Sequence, residues 1–137
     1  MDVNPFASLI DTEALEWIPT GSGNSLKILR VSEETGAWSA LIQAKAGTVN
    51  ARHRHIGPAD FLVLSGSIEY RGGVAKAGCW VYEPAGAIHD ATTHPEDTVY
   101  LANVHGPIAY LDDDDKITHV SDGESMRQLG RKAGVLA

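Results

Sequence analysis

Cysteine is almost absent. Cys79 is the only one in 137 residues, so no disulfide can form within the chain, and a metal site would have to draw on His, Asp or Glu. Long apolar runs are missing too: the longest, such as 61–64, are strand-sized, far short of the ~20 residues that cross a bilayer as a helix. Cations are scarce, with 11 Lys and Arg against 18 Asp and Glu and a formal charge of −7. A nucleic-acid binder needs clustered Lys and Arg to displace counterions, so no nucleic acid is expected as a partner. The opening Met-Asp-Val-Asn-Pro lacks the basic stretch and apolar core of a secretion signal. A cytoplasmic protein with no membrane association is the expectation. What is present, 43% hydrophobic residues, suffices for one domain that buries roughly two-thirds of its unfolded surface.

Short β-branched and aromatic runs separated by Gly, Pro, Asn and Asp fill the chain from residue 15 to 120, the pattern of an all-β sandwich or barrel. Strands are expected at 26–31, 37–44, 50–55, 61–64, 67–71, 79–83, 87–91, 98–105 and 108–111. Turn signals stand at 21–23, 57–58, 72–73, 84–86 and 106–107. Ser121 or Asp122 is placed to cap a short C-terminal helix over 124–131. The four acids Asp112 to Asp115 fit the solvated tip of a hairpin.

Two segments concentrate the chemistry. In the first, His53 and His55 sit two residues apart after the glycine turn at Gly47, so a strand points both rings to one face and Arg52 and Arg54 to the other. Two imidazoles converging inside a barrel need partners for their ring nitrogens, and a metal ion supplies them. Exposed strand histidines are common, so this pair alone leaves both readings open. In the second, a strand from Gly78 to Glu83 meets Pro84-Ala85-Gly86 and returns to His89. Proline fixes φ and glycine permits a positive φ, so the turn is tight and His89 is well placed as a third ligand.

Together these segments resemble the paired signatures of the cupin superfamily. Gly47, His53 and His55 match the first motif, and Gly78, Pro84, Gly86 and His89 match the second. The resemblance implies one cupin domain over 1–137, with motif one at 47–66 and motif two at 78–93. Its fold would be a single jelly-roll-like barrel that holds one divalent metal ion near one end. Many cupins add a Glu three or four residues after His-x-His; here those places hold Ala59 and Asp60. We take Ala59 as the matching position, which leaves three histidines and makes Asp60 a supporting residue. The pattern is similar to that of three-histidine dioxygenases that cleave acetylacetone or dihydroxyacetophenone. By that resemblance Fe(II) is favoured over Zn, Ni or Mn, the partners are a small chelating ketone and dioxygen, and Glu83 is an acid close behind the ligands. Glu83 could equally be a solvated strand-end acid. Two rival functions come with the fold: a Zn-binding sensor or interaction module, and an isomerase, lyase or hydrolase that uses the ion as a Lewis acid. Cupins commonly pair through edges and outer strands, so a homodimer or homotetramer is expected.

The remaining candidates read more simply. His94 and His105 are taken as structural histidines. Trp38, Trp80, Tyr70, Tyr82, Phe61 and Tyr100 are taken as barrel-core aromatics, Arg71 as an exposed strand-end residue, and Cys79 as a small buried hydrophobe.

Overall fold

The structure, a computed structural model, describes residues 8–136 apart from Arg71, with His89 described through its backbone alone. In chain order the strands are β1 (Ile18–Gly21), β2 (Asn24–Val31), β3 (Trp38–Ala44), β4 (Val49–Asn50), β5 (His53–His55), β6 (Ala59–Ser65) and β7 (Ser67–Tyr70). They continue with β8 (Gly73–Lys76), β9 (Trp80–Glu83), β10 (Ile88–His89), β11 (Thr92–Thr93), β12 (Thr98–Val104), β13 (Ile108–Leu111) and β14 (Ile117–Ser121), before the helix α1 (Gly123–Lys132). The fold is all-β with one C-terminal helix, as expected. Among the described residues no helix is long and apolar enough to cross a membrane.

A six-stranded antiparallel sheet, β1-β2-β3-β12-β6-β9, faces two four-stranded antiparallel sheets, β10-β5-β13-β14 and β4-β11-β7-β8. The result is a jelly roll of three sheets rather than one continuously bonded cylinder. One buried cluster joins Leu26, Trp38, Ala40, Ala59, Ala102 and Val104 of the large sheet to Ile108 on β13 and Met126 on α1. A second joins Val63 to Ile68 and Ala75. Each small sheet is thus fastened to the large one by its own apolar contact, and burial of that apolar area is the main force holding the layers together.

The expected strand over 50–55 is in fact two. Asn50 pairs with Thr92 in one small sheet, and His53 pairs with His89 in the other. Ala51 and Arg52 interrupt the ladder without shifting its register. β1, β8, β11 and β14 were not among the expected strands. β8 follows Gly72 directly and is short and largely exposed; β14 carries Ile117, Thr118 and His119 outside on the rim. Neither has the buried alternation that marks a strand in sequence. The helix begins as expected: the Asp122 carboxylate accepts from Ser125 N at 2.8 Å, and Ser125 Oγ accepts from Asp122 N at 2.8 Å, a capping box.

Several side chains lie on a different face from the one expected. Trp80 and Tyr82 are 62% and 52% exposed on the outer face of β9, stacked on each other with centroids 6.1 Å apart. Alternation explains it: the inward places on β9 belong to Val81 and Glu83. Cys79 is exposed in the turn before β9, not packed inside. Arg71 lies outside the described residues.

His94 is structural, as expected. It is 1% exposed and stacks against Tyr100 with ring centroids 6.3 Å apart. Asn24 Nδ2 donates to Asn50 Oδ1 at 2.8 Å, which turns the Asn50 amide nitrogen toward His94 Nε2 at 3.1 Å. His94 Nδ1 then donates to Ser67 O at 3.3 Å. Both ring nitrogens are satisfied in the neutral tautomer, and a second proton on Nε2 would confront another donor. Burial accordingly lowers the His94 pKa, against a smaller opposing effect from Ser67. The unfolded chain would protonate this ring near its ordinary 6.5, where the folded chain does not. Stability from His94 is therefore complete above that value and lost as pH falls from it toward the lower folded pKa. Thermal melts between pH 7.5 and 5.5 should show wild type losing stability faster than His94→Gln, by at most ~1.4 kcal/mol per pH unit; equal slopes would contradict this.

Candidate metal centre

β5 is short because it is hemmed in. Before it, the ladder break frees the Ala51 carbonyl from sheet pairing, and His53 Nδ1 bonds that oxygen at 2.8 Å. A carbonyl can only accept, so Nδ1 carries the proton and the lone pair lies on Nε2, the tautomer required of a metal ligand. After β5, the chain turns at Gly57-Pro58 against Gly106-Pro107. Ile56 N donates to Pro107 O at 2.9 Å and His105 N to Pro58 O at 2.9 Å. A Cβ on Gly106 would fall 2.6 Å from Gly57 Cα, so the two turns can cross only as glycines.

His53 and His55 face inward together, 9% and 5% exposed, with ring centroids 4.9 Å apart and planes at 71°. Burial lowers the His53 pKa, with the Ala51 bond opposing it, so the ring is held neutral and its lone pair is kept for a ligand. Two imidazoles on one face form a donor set suited to a borderline first-row divalent ion rather than to Ca²⁺ or Mg²⁺. The residues present therefore fit such an ion.

The second motif is clipped to the first by its turn. Gly86 N donates to His55 O at 2.6 Å and His55 N to Ala87 O at 2.9 Å. Gly86 has φ of +85°, a conformation that side chains rarely adopt, so the chain can reverse here and bring His89 directly opposite His53 in the ladder. The His89 side chain lies outside the described residues. Among the described residues no three His, Cys, Asp or Glu side chains form a metal-holding group.

The acid question turns on side-chain parity. Ala59 is inward and buried, while Asp60 is on the outer face. There Asp60 Oδ1 accepts from Asn103 Nδ2 at 3.1 Å and from Trp80 Nε1 at 3.4 Å, and Oδ2 lies 3.7 Å from His105 Nε2. Asp60 and His105 thus belong to a polar cluster on the outside of the large sheet, away from the histidine pair. Glu83 is the inward acid. It is 2% exposed, so it is not a solvated strand-end residue, and it stands directly across from Ala59 in the β6-β9 register. Burial pushes its carboxyl pKa up.

Two neighbours of the centre escaped the sequence reading. Tyr110 pairs with His53 in the β13-β5 register and packs on it at 5.4 Å between centroids; His119 on β14 stacks on its other side at 4.3 Å. The available signal was the inward alternation of Ile108 and Tyr110 on a strand already expected. The acidic hairpin tip has only a local role: Asp112 Oδ1 accepts from the backbone N–H of Asp114 and Lys116, each at 2.9 Å, and Asp115 pairs with Arg52, which also reaches Asp90 at 3.7 Å. It fits the solvated hairpin tip that was expected.

Comparison with known proteins agrees with this fold. Residues 7–109 match the model of the ChrR Cupin-like domain. The chain is 32% identical over 101 residues to the acetylacetone-cleaving enzyme of Acinetobacter johnsonii, a match that covers 69% of this chain and 66% of that relative's length. A candidate acetylacetone dioxygenase of Methylibium petroleiphilum PM1 superposes with a TM-score of 0.85 at 27% identity, covering 93% of this chain and 96% of the other. The acetylacetone dioxygenase structure from Acinetobacter johnsonii has the same fold, with a TM-score of 0.81 at 24% identity over 96% of this chain and 95% of that one. With a family model spanning most of its length and the fold shared from end to end, the chain belongs to the ChrR Cupin-like family of cupins.

Proposed function

We propose that this protein is a non-haem Fe(II)-dependent dioxygenase that cleaves a carbon–carbon bond of a small chelating ketone, a β-diketone or a hydroxyacetophenone-like compound. The observation that carries the reading is the pair of buried, inward imidazoles with alanine, not an acid, at the inward position of β6. His53, His55 and His89 are the proposed ligands. Three neutral ligands leave the ion's full charge to attract an anionic chelate, which suits an enolate better than a neutral substrate. The similarity to an acetylacetone-cleaving enzyme supports the same substrate class. Zn²⁺, Ni²⁺ or Mn²⁺ would also fit the donor set, and only the oxygenase reading selects iron.

A bound Fe(II) ion would supply coordination positions for the two substrate oxygens and one-electron chemistry toward dioxygen. The chain's own contribution is positional. The Ala51 carbonyl sets the His53 ring, the Gly86 clip sets the distance between the motifs, and the apolar inner faces keep bulk water from the reacting ketone. Glu83, inward and opposite Ala59, is the acid proposed to orient a histidine ligand or a water molecule from behind the ligands. Both atoms of dioxygen would end in the two fragments, a carboxylic acid and an α-dicarbonyl from a β-diketone or two carboxylic acids from an α-hydroxyketone, so no separate reductant is required.

The second reading is a Zn-binding sensor or interaction module, and a Lewis-acid isomerase, lyase or hydrolase is the third. Oxygen dependence separates them. Anaerobically Fe(II)-reconstituted protein, offered β-diketones and hydroxyacetophenones, should consume oxygen in a substrate-dependent way. The Zn²⁺-loaded protein should not, and neither should His89→Ala, which should lose metal by elemental analysis while keeping its far-UV circular dichroism. Full activity in His89→Ala would refute the site, and silence across the panel with tightly held Zn²⁺ would favour the other readings.

We also infer a homodimer or homotetramer built through the outer face of the large sheet. Leu41, Leu101 and Leu62 form a cross-strand row there that ends at the exposed Trp80, an apolar stripe of the kind that marks a subunit interface. Light scattering should give a mass of two or four chains for wild type and a shift toward monomer for Trp80→Asp; a monomeric wild type would exclude it.

A further inference from the structure

The outer face of the large sheet carries two opposite charges on one line. The registers from β2 to β9 set Arg30, Ser39, Asn103, Asp60 and Tyr82 side by side, and residues paired directly across strands share a face. Arg30 owes its place to an irregularity, since the β2-β3 register shifts between Ile28 and Arg30. Strict alternation would put Ile28 and Arg30 on the same face. The bulge keeps Ile28 buried and turns Arg30 outward, where it is exposed, the re-aiming of a side chain that bulges provide.

Neither charge is fully met within the chain. Among the described residues no ion pair reaches Arg30. Asp60 Oδ1 accepts from Asn103 Nδ2 and Trp80 Nε1, but Oδ2 has only His105 Nε2, at 3.7 Å, too long for a hydrogen bond. The Asp60 side chain is 22% exposed, so this oxygen is partly withdrawn from water with no permanent cation against it. Arg30 cannot supply one from the same chain. β3 and β12 lie between, which makes about 14 Å at the ~4.8 Å spacing of neighbouring strands. Midway, Ser39 Oγ donates to Asn103 Oδ1 at 2.7 Å. A line that is positive at one end, negative at the other and neutral at its midpoint is complementary to itself under a two-fold rotation.

We propose that a second copy of this chain covers the outer face about a two-fold axis that runs along the strands between β3 and β12, so that each Arg30 pairs with Asp60 of the partner subunit. The next line fits the same axis. Lys27, Leu41, Leu101, Leu62 and Trp80 lie side by side in the same registers. The rotation sets Leu41 against Leu101 of the partner subunit, and Leu62 against the place where the Trp17 ring covers Lys27 Nζ at 4.7 Å. Apolar surface meets apolar surface there. Sheets stacked face to face sit ~10 Å apart, a gap that an arginine and an aspartate span between them. Apolar contact is non-directional; the paired charges fix the register.

This deepens the reading of the outer face as a subunit interface, and the test separates the two. Arg30→Glu sets two glutamates against two aspartates, and sedimentation equilibrium should show the dissociation constant of the assembly raised at least ~100-fold. Arg30→Glu combined with Asp60→Arg should return it to within about tenfold of wild type. A cross-linking measurement does not depend on the folding of that double variant. With Cys79 replaced by serine, Arg30→Cys and Asp60→Cys chains mixed in equal amounts keep one native ion pair in each mixed dimer. A short bismaleimide should join the mixture into dimers and leave either chain alone largely unjoined. An assembly that Arg30→Glu leaves intact, or a mixture that cross-links no better than either chain alone, overturns the pairing and leaves the interface standing. A monomeric wild type overturns both.

Discussion

The ladder between residues 49–55 and 87–93 is the constraint on which the rest of the centre depends. Its two halves keep one register although they belong to different sheets. Across the break, Arg52 and Asp90 are ion-paired at 3.7 Å, an exposed pair worth little by itself. The stronger hold comes from the backbone, where Gly86 and Ala87 close on both sides of His55. The interruption also has a use. A carbonyl engaged in a regular ladder cannot turn to a side chain, whereas Ala51, off the ladder, fixes the tautomer of the next-but-one histidine. A defect in pairing is thus what orients the ring, a role that irregularities in sheets often play beside functional sites.

The interior is shaped by a compromise between stability and room. Close packing would favour large aliphatic side chains wherever two sheets face each other. Here the central inward places hold alanine, and the aromatic rings around them are half-buried. Unfilled volume in a core costs stability, at about 24 cal/mol per Å³ in cavity series. The helix and the far cluster offset it: Met126 and Leu129 of α1 seal one side, and Val63, Ile68 and Ala75 form a tight second core away from the histidines. Packing strength is therefore concentrated where no chemistry is expected.

Much of this was legible in the chain, for identifiable reasons. The His-x-His spacing and the Pro-x-Gly turn are local geometry, so the inward pair and its clip could be anticipated before any tertiary contact was known. Side-chain facing was not so readable. Trp80 and Tyr82 look like core residues by hydrophobicity, but the inward parity of β9 is set by Val81 packing on Val63 and Ile68, a contact between distant segments. Cys79 lies just outside that strand, so the usual burial of free cysteine does not apply. β8 and β14 escaped for the opposite reason: they are held by pairing with β7 and β13, and exposed strands carry little pattern of their own. Tyr110 was visible as a strand residue, but only the register against His53 makes it a neighbour of the centre.

The same parity decides how the centre is charged. Asp60 is next to the place where an acid would reach inward, but sheet geometry has no half-steps: to turn Asp60 inward, β6 must slip by one residue, and Phe61 and Val63 would leave the core with it. Val63 is 0% exposed, so that slip would expose a filled position and bury a carboxylate. Among the described residues the inward acid nearby is therefore Glu83, supplied by the neighbouring strand directly opposite Ala59. Moving the carboxylate across the ladder keeps a negative group within the interior while taking it off the strand that follows the histidine pair. An acid at residue 59 would follow His55 on the adjoining stretch of chain; an acid at 83 stands one strand further away, where it can act on the centre through an intervening hydrogen bond. An ion held in a centre arranged this way would retain more of its positive charge for an anionic chelate, and that would link a single alanine on β6 to the class of ligand bound.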